Sequence, residues 1–210
     1  MKKTMINYLG LLGPVSLLSY AAAVIFSPLA YPGYDWMSQA VSDLSSTQSP
    51  SLGLWNQLSS LYGIAGVVNV TVVSLYVQDK LHRSQRIGIY IFSVMLWFSY
   101  IGYSMFPLTT ETNGLSIQNM IHVFVVTGTI VVLSLVSLTT ILTADLMNKC
   151  LTTLSMTALI CLLFMLTGAA GTALAPLEWF GVFERFSVFS VVVFNAVLGL
   201  LLYKGTLPHW

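Results

Sequence analysis

Residues 180–203 read FGVFERFSVFSVVVFNAVLGLLLY. Glu184 and Arg185 stand near one end, and residues 186–203 carry no charge at all. An α-helix rises 1.5 Å per residue, so about 20 such residues cross the hydrocarbon core of a bilayer. The stretch is far longer than the 9–11 residues of a barrel strand and lacks period-two alternation, so it reads as a spanning helix. Five more runs of the same kind lie upstream, at Tyr8–Ala30, Leu54–Val77, Ile87–Phe106, Ile117–Ala144 and Leu151–Ala175. The chain has 210 residues, 56% hydrophobic and 7% charged, against the roughly 25% charged of a soluble domain. That composition excludes an ordinary soluble enzyme, a disordered chain and a nucleic-acid binder with a basic face. The expected fold is all-α: a six-helix polytopic membrane bundle, residues 1–210 forming one integral membrane domain.

Basic residues set the expected orientation. Lys2 and Lys3 precede the first span, Lys80, Arg83 and Arg86 follow the second, Lys149 follows the fourth and Lys204 the sixth. All seven fall on one side, which predicts a multi-pass cell-membrane protein with both termini cytoplasmic. The first span outruns a signal-peptide core of 7–15 residues and is expected to stay uncleaved. Cys150 and Cys161 form neither a CxxC nor a disulfide framework. No internal repeat is evident.

The longest outer stretch is Tyr31–Gly53. Tyr31-Pro32-Gly33 reads as a turn, after which Asp35 is placed to cap a helix over Trp36–Ser45. Met37, Ala40, Val41 and Leu44 share one face of that helix, which would lie in the interface with Trp36 at headgroup level. Beneath it, Arg185 is six residues past Trp179, roughly 9 Å deeper, and His122 is five residues into the fourth span, roughly 8 Å deep. Asn56 and Gln57 open the second span at the same level. A charge inside a span costs about 2.5–3.5 kcal/mol at mid-membrane and calls for a partner. Glu184 points about 100° away from Arg185 on the helix, so the expected partner is Asp43 or Asp35, with Glu111 second.

Asp35, Ser38, Asp43, Asn56, His122, Glu184 and Arg185 are therefore the candidate substrate-binding residues. Three roles are open to them. They can pin the loop to the bundle, bind a polar or anionic headgroup at Arg185, or catalyse. A serine-type arrangement would take Ser38 or Ser42 as nucleophile, His122 as base and Asp43 or Glu184 as its orienter, but no catalytic residue is assigned. There is no HExxH, Walker or dinucleotide motif and no GxSxG elbow, and His82, His122 and His209 fall in different places. No metal, cofactor, nucleotide or nucleic acid is expected; the expected partners are membrane lipids. Small residues at Gly168–Ala175 and at Gly63, Gly66 and Asn69 read as helix-packing surfaces, and Asp145 with Lys149 as a surface pair.

The segment Tyr34-Asp35-Trp36-Met37-Ser38-Gln39-Ala40-Val41-Ser42-Asp43-Leu44-Ser45, then Ser49-Pro50 and Asn56, resembles the first-loop signature of the domain of unknown function 998 family of bacteria and archaea. Phe106-Pro107, His122 and Gly181-Val182-Phe183-Glu184-Arg185 extend the likeness. That family looks distantly similar to the eukaryotic Frag-type membrane proteins, autophagy modulators and a factor in GPI-anchor lipid remodelling. Their I-S-D segment and later histidine match Val41-Ser42-Asp43 and His122, with valine in place of isoleucine. The resemblance implies six spans and a lipid-facing role, but no reaction. The function read from these features is lipid or amphiphile binding, with lipid modification as an extension. The alternatives are a small transporter or channel, or a subunit of a membrane complex.

Overall fold

A computed structural model describes residues 3–109, 116–148 and 152–207. Lys2, Glu111, Lys149, Cys150 and His209 lie outside them. Six helices are long and apolar enough to span a membrane: α1 (Met5–Ala30), α2 (Leu52–Tyr76), α3 (Arg83–Met105), α4 (Ile117–Leu146), α5 (Thr153–Leu174) and α6 (Leu177–Lys204). The boundaries follow from local chemistry. His82 caps α3 by accepting from the Ser84 amide, Ser116 caps α4 and Thr152 caps α5. Gly205, in the left-handed region at φ 68°, ends α6.

Consecutive spans pack side by side, and α6 returns to α1, closing a ring; α6 also reaches across to α2. The alternation of six spans leaves one basic face, with Lys3, Lys80, Arg83, Arg86 and Lys204, and one loop face, with residues 31–51. Toward the basic face the ring is filled. Phe92 and Phe194 meet edge to face at 4.9 Å, surrounded by the fully buried Ile89, Met95, Leu138, Leu198 and Leu202. Small residues bring the helices together as the sequence suggests. A Cβ on Gly168 would strike the α6 backbone at Phe183 and Ser187, and one on Gly199 would strike Gly10 and Asn69. Asn69 donates to both oxygens of Asn195 at 2.9 Å.

Asp145 is not a surface residue. It is 1% exposed and ties three spans, accepting from Gln85 Nε2 (2.9 Å) and from the Thr152 amide and hydroxyl (2.8 and 2.5 Å). Its spacing to Lys149 on a helix suggested a solvent pair; the interhelical donors were not visible in sequence.

The loop-facing half is less regular. The span α2 breaks between Leu58 and Tyr62, where Ser59 Oγ bonds back to the Trp55 carbonyl at 2.7 Å. In α4, Ile121–Thr127 forms a π-helical turn. The expected helix over Trp36–Ser45 is reduced to a single turn, Val41–Leu44, preceded by hydrogen-bonded turns. The cause is that the carbonyls of Trp36, Met37 and Gln39 are engaged by α6, and that of Ala40 by Tyr34, instead of by amides four residues on.

Candidate functional site

Residues 34–44 form a lid whose backbone is held by the first turns of α6. The Val182 amide donates to the Met37 carbonyl at 3.2 Å, and Glu184 Oε2 accepts the Val41 amide at 2.5 Å. Arg185 Nη1 stands among three carbonyls, Trp36 at 2.7 Å, Gln39 at 3.2 Å and Gly181 at 2.7 Å. Arg185 Nη2 donates to the Tyr34 hydroxyl at 2.7 Å, which donates onward to the Ala40 carbonyl at 2.8 Å. Gly181 permits this seat, because a Cβ there would collide with the Trp36 and Gln39 carbonyls and with Arg185 Nη1.

Arg185 thus binds carbonyl and phenol oxygens rather than Asp43 or Asp35, which corrects the expected ion pair. The physical reason is that a lid without helical bonds leaves carbonyls that must be satisfied where water is scarce, and a guanidinium answers several at once. Tyr34 and Gly181, not singled out in the sequence, belong to this catch.

The lid's own carboxylates stabilise its turns. Asp35 Oδ2 accepts from Ser38 Oγ at 2.6 Å and Oδ1 from the Met37 amide at 3.1 Å. The Ser38 hydroxyl above all holds the Asp35 carboxyl below its ordinary range. Asp43 Oδ2 accepts the Ala40 amide at 3.0 Å, and burial pushes this carboxyl up. Burial likewise pushes the Tyr34 hydroxyl up to about 12. Outside the lid, Ser38, Gln39, Asp43, Glu178 and Phe180 line an open groove of about 500 Å³. A second groove, of about 320 Å³, has Asp35, Met37, Glu178 and Trp179. Leu177 is 82% exposed at the rim.

A second polar group lies beneath the lid. His122, 6% exposed, stands on the π turn with Nδ1 2.7 Å from the Phe106 carbonyl. Asn119, bonded to the Thr109 amide, hydroxyl and carbonyl, and Gln118, bonded to the Pro107 carbonyl, hold the end of α3 there. A carbonyl only accepts, so Nδ1 carries the hydrogen, and in the neutral ring Nε2 is a bare acceptor. The Tyr103 ring packs on the imidazole at 4.9 Å. Thr127 donates its one hydroxyl hydrogen to the His122 carbonyl at 2.9 Å, so the Tyr103 hydroxyl donates to Thr127 at 3.0 Å.

Tyr20 adds its ring, 4.6 Å from Tyr62, 5.8 Å from Trp55 and 5.6 Å from Phe189. Glu184 is within electrostatic range of Tyr20 and Tyr103, and Tyr103 of Tyr62. Five spans, α1, α2, α3, α4 and α6, therefore each bring one polar side chain to one region: Tyr20, Tyr62, Tyr103, His122 and Glu184. Among the described residues, the Tyr20 and Tyr62 hydroxyls and His122 Nε2 have no hydrogen-bond partner. Tyr20 and His122 are 5% and 6% exposed and Tyr62 is half-buried; the enclosed oxygens of Ser27, Asn69, Ser74 and Gln85 likewise have no partner among the described residues.

The seven candidate residues accordingly divide. Asp35, Ser38 and Asp43 shape the lid and its grooves, Arg185 fastens it, and Glu184 joins lid to interior. His122 belongs to the interior alone. Asn56 is exposed on α2 and joins neither group. The serine arrangement is not assembled: the Ser38 hydroxyl goes to Asp35, and the His122 Nδ1 goes to a carbonyl rather than a carboxylate. The tyrosines were missed because a tyrosine in an apolar span reads as an interface residue. Their recurrence in the loop-side parts of α1, α2 and α3 was the available signal. Among the described residues no group of three or more metal-ligating side chains occurs.

A multi-pass, all-helical protein of membrane type, with a loop fastened over one end of the bundle, is the class this architecture defines. The chain belongs to the family described as a protein of unknown function, DUF998, which it matches over residues 14–201. No curated protein and no solved structure matches it.

Proposed function

We propose that this protein lies in the cell membrane with both termini cytoplasmic and binds the polar head of a lipid or other amphiphile beneath the lid, in the outer leaflet. One observation carries the reading. The Tyr20 and Tyr62 hydroxyls and His122 Nε2, on side chains that are buried or half-buried, have no hydrogen-bond partner among the described residues, and an unsatisfied polar group inside the bundle costs about 1–3 kcal/mol. A bound head group supplies the missing partners. Asp35, Ser38 and Asp43 form the mouth, where the grooves combine polar linings with the apolar rim of Leu177 and Trp179. His122 and Glu184 form the seat.

The basic half is filled by Phe92, Phe194 and aliphatic side chains, with its buried Asp145 bonded to Gln85 and Thr152, which favours binding over a route across the bilayer. The orientation is supported by the collection of Lys3, Lys80, Arg83, Arg86 and Lys204 on one face. Native mass spectrometry of the protein extracted in mild detergent tests the reading. The wild type is expected to retain an amphiphile that His122→Ala and Arg185→Met lose. A wild type without bound amphiphile, or equal retention by all three, rejects it.

A further inference from the structure

We infer that the group seated beneath the lid is a primary ammonium, as in an amine-bearing lipid head, and not a phosphate or other anion. This rests on the binding reading above and names its ligand class. The charge distribution is the first argument. Among the described residues, the loop-facing half holds four of the six acids, Asp35, Asp43, Glu178 and Glu184, and one of the six Lys and Arg residues, Arg185. Both terminal nitrogens of Arg185 are already committed to the lid carbonyls and Tyr34. An entering anion would meet the acidic side chain of Glu184 and, among the described residues there, find no uncommitted cation to bind.

The lining is the second, independent argument. His122, 6% exposed, offers a bare Nε2, and Glu184 offers a carboxylate, so two acceptors await N–H donors. The Tyr103 oxygen, having given its hydrogen to Thr127, is a third acceptor. Within electrostatic range of Glu184 stands the ring of Tyr20, which packs against Tyr62, Phe189 and Trp55 at 4.6, 5.6 and 5.8 Å. Aromatic faces attract cations, and more strongly where water is scarce. A compact ammonium with three N–H donors satisfies the acceptors and the rings together.

The same chemistry can come from a lipid or from a free amine, and a titration separates the two. Purified protein in maltoside micelles is mixed with phosphatidylethanolamine, with phosphatidylglycerol or with free ethanolamine, and followed by tryptophan fluorescence and native mass spectrometry. Phosphatidylethanolamine is expected to bind at least tenfold more tightly than phosphatidylglycerol. Competition by millimolar ethanolamine would keep the amine chemistry and place the natural source in solution. Glu184→Gln, which still accepts the Val41 amide, is expected to weaken phosphatidylethanolamine binding at least tenfold at unchanged melting temperature. Tyr62→Phe, which keeps the ring but removes the hydroxyl that the head group would pair, is expected to weaken it three- to tenfold, and Tyr62→Ala more than tenfold. Equal or tighter binding of phosphatidylglycerol overturns the ammonium assignment while leaving a binding site in place. Failure of all three ligands removes the site itself.

Discussion

The two ends of the bundle solve the same burial problem differently. Toward the basic face, Asp145 answers Gln85 and Thr152 and Asn69 donates to Asn195, the Asn69, Ser74 and Gln85 oxygens stay enclosed without partners among the described residues, and the space between is filled by Phe92, Phe194 and their neighbours. Toward the loop face, α2 breaks, α4 widens into a π turn, and the eight α6 residues 182–189 are all partly exposed. Interiors pack to crystalline density unless something keeps them open, and widened helical turns recur at functional sites. The contrast therefore separates a half built for rigidity from a half built to receive something.

Four measurements would break or sharpen that contrast. Phe194→Ala empties the filled half and is expected to cost roughly 3–5 kcal/mol, seen as a large fall in melting temperature in detergent; a tolerated substitution would erase the distinction between the halves. Arg185→Met strips the lid of its carbonyl partner. A loss of roughly 1.5–3 kcal/mol is expected, since hydrogen bonds to a charged group contribute about that much. It should be confined to the lid and read as faster proteolysis within residues 31–51 at nearly constant global melting. Cleavage no faster than wild type would show that the lid is held by something else.

Asp43→Asn is expected to have a smaller effect, with a definite pH dependence. Burial raises this carboxyl in the folded protein. Folding therefore binds a proton, and the wild type loses stability as pH rises above the ordinary carboxylate value of 3.8. The asparagine protein, which keeps an acceptor for the Ala40 amide, should melt higher than wild type at pH 7 and no higher at pH 3.5. A constant difference across that range would contradict the assignment. Smallest is Tyr62→Phe. Its hydroxyl has no partner among the described residues, so its removal should leave the melting temperature of the ligand-free protein unchanged or slightly raised; a fall would reveal a hydrogen bond and contradict the reading.

How much of this was legible in the sequence follows from what each feature depends on. The six spans depend on run length and composition, and the structure places their ends within a few residues of the expected positions. The lid helix was overread because apolar spacing at Met37, Ala40, Val41 and Leu44 is compatible with a helix, while the competing claim on its carbonyls comes from Arg185, some 150 residues away. Arg185 itself was rightly placed beneath the lid. Its partners were misjudged because sequence displays carboxylates and hides carbonyls. The interior group was half seen: His122 and Glu184 were read as candidates, whereas Tyr20, Tyr62 and Tyr103 become neighbours only when α1, α2 and α3 close on α6.

The catch on the lid has a consequence for how this molecule can change. Val182, Glu184 and Arg185 grip peptide groups at positions 36, 37, 39 and 41, and those groups are the same whatever side chains they bear. Outward lid side chains that make no hydrogen bond of their own, such as Trp36 and Met37, are thus free to be rewritten to suit a different ligand without unfastening it, whereas Tyr34, Asp35, Ser38, Gln39 and Asp43 hold its turns. The exceptions are a proline at position 41, which would remove the gripped N–H, and any side chain at position 181, which would fill the seat.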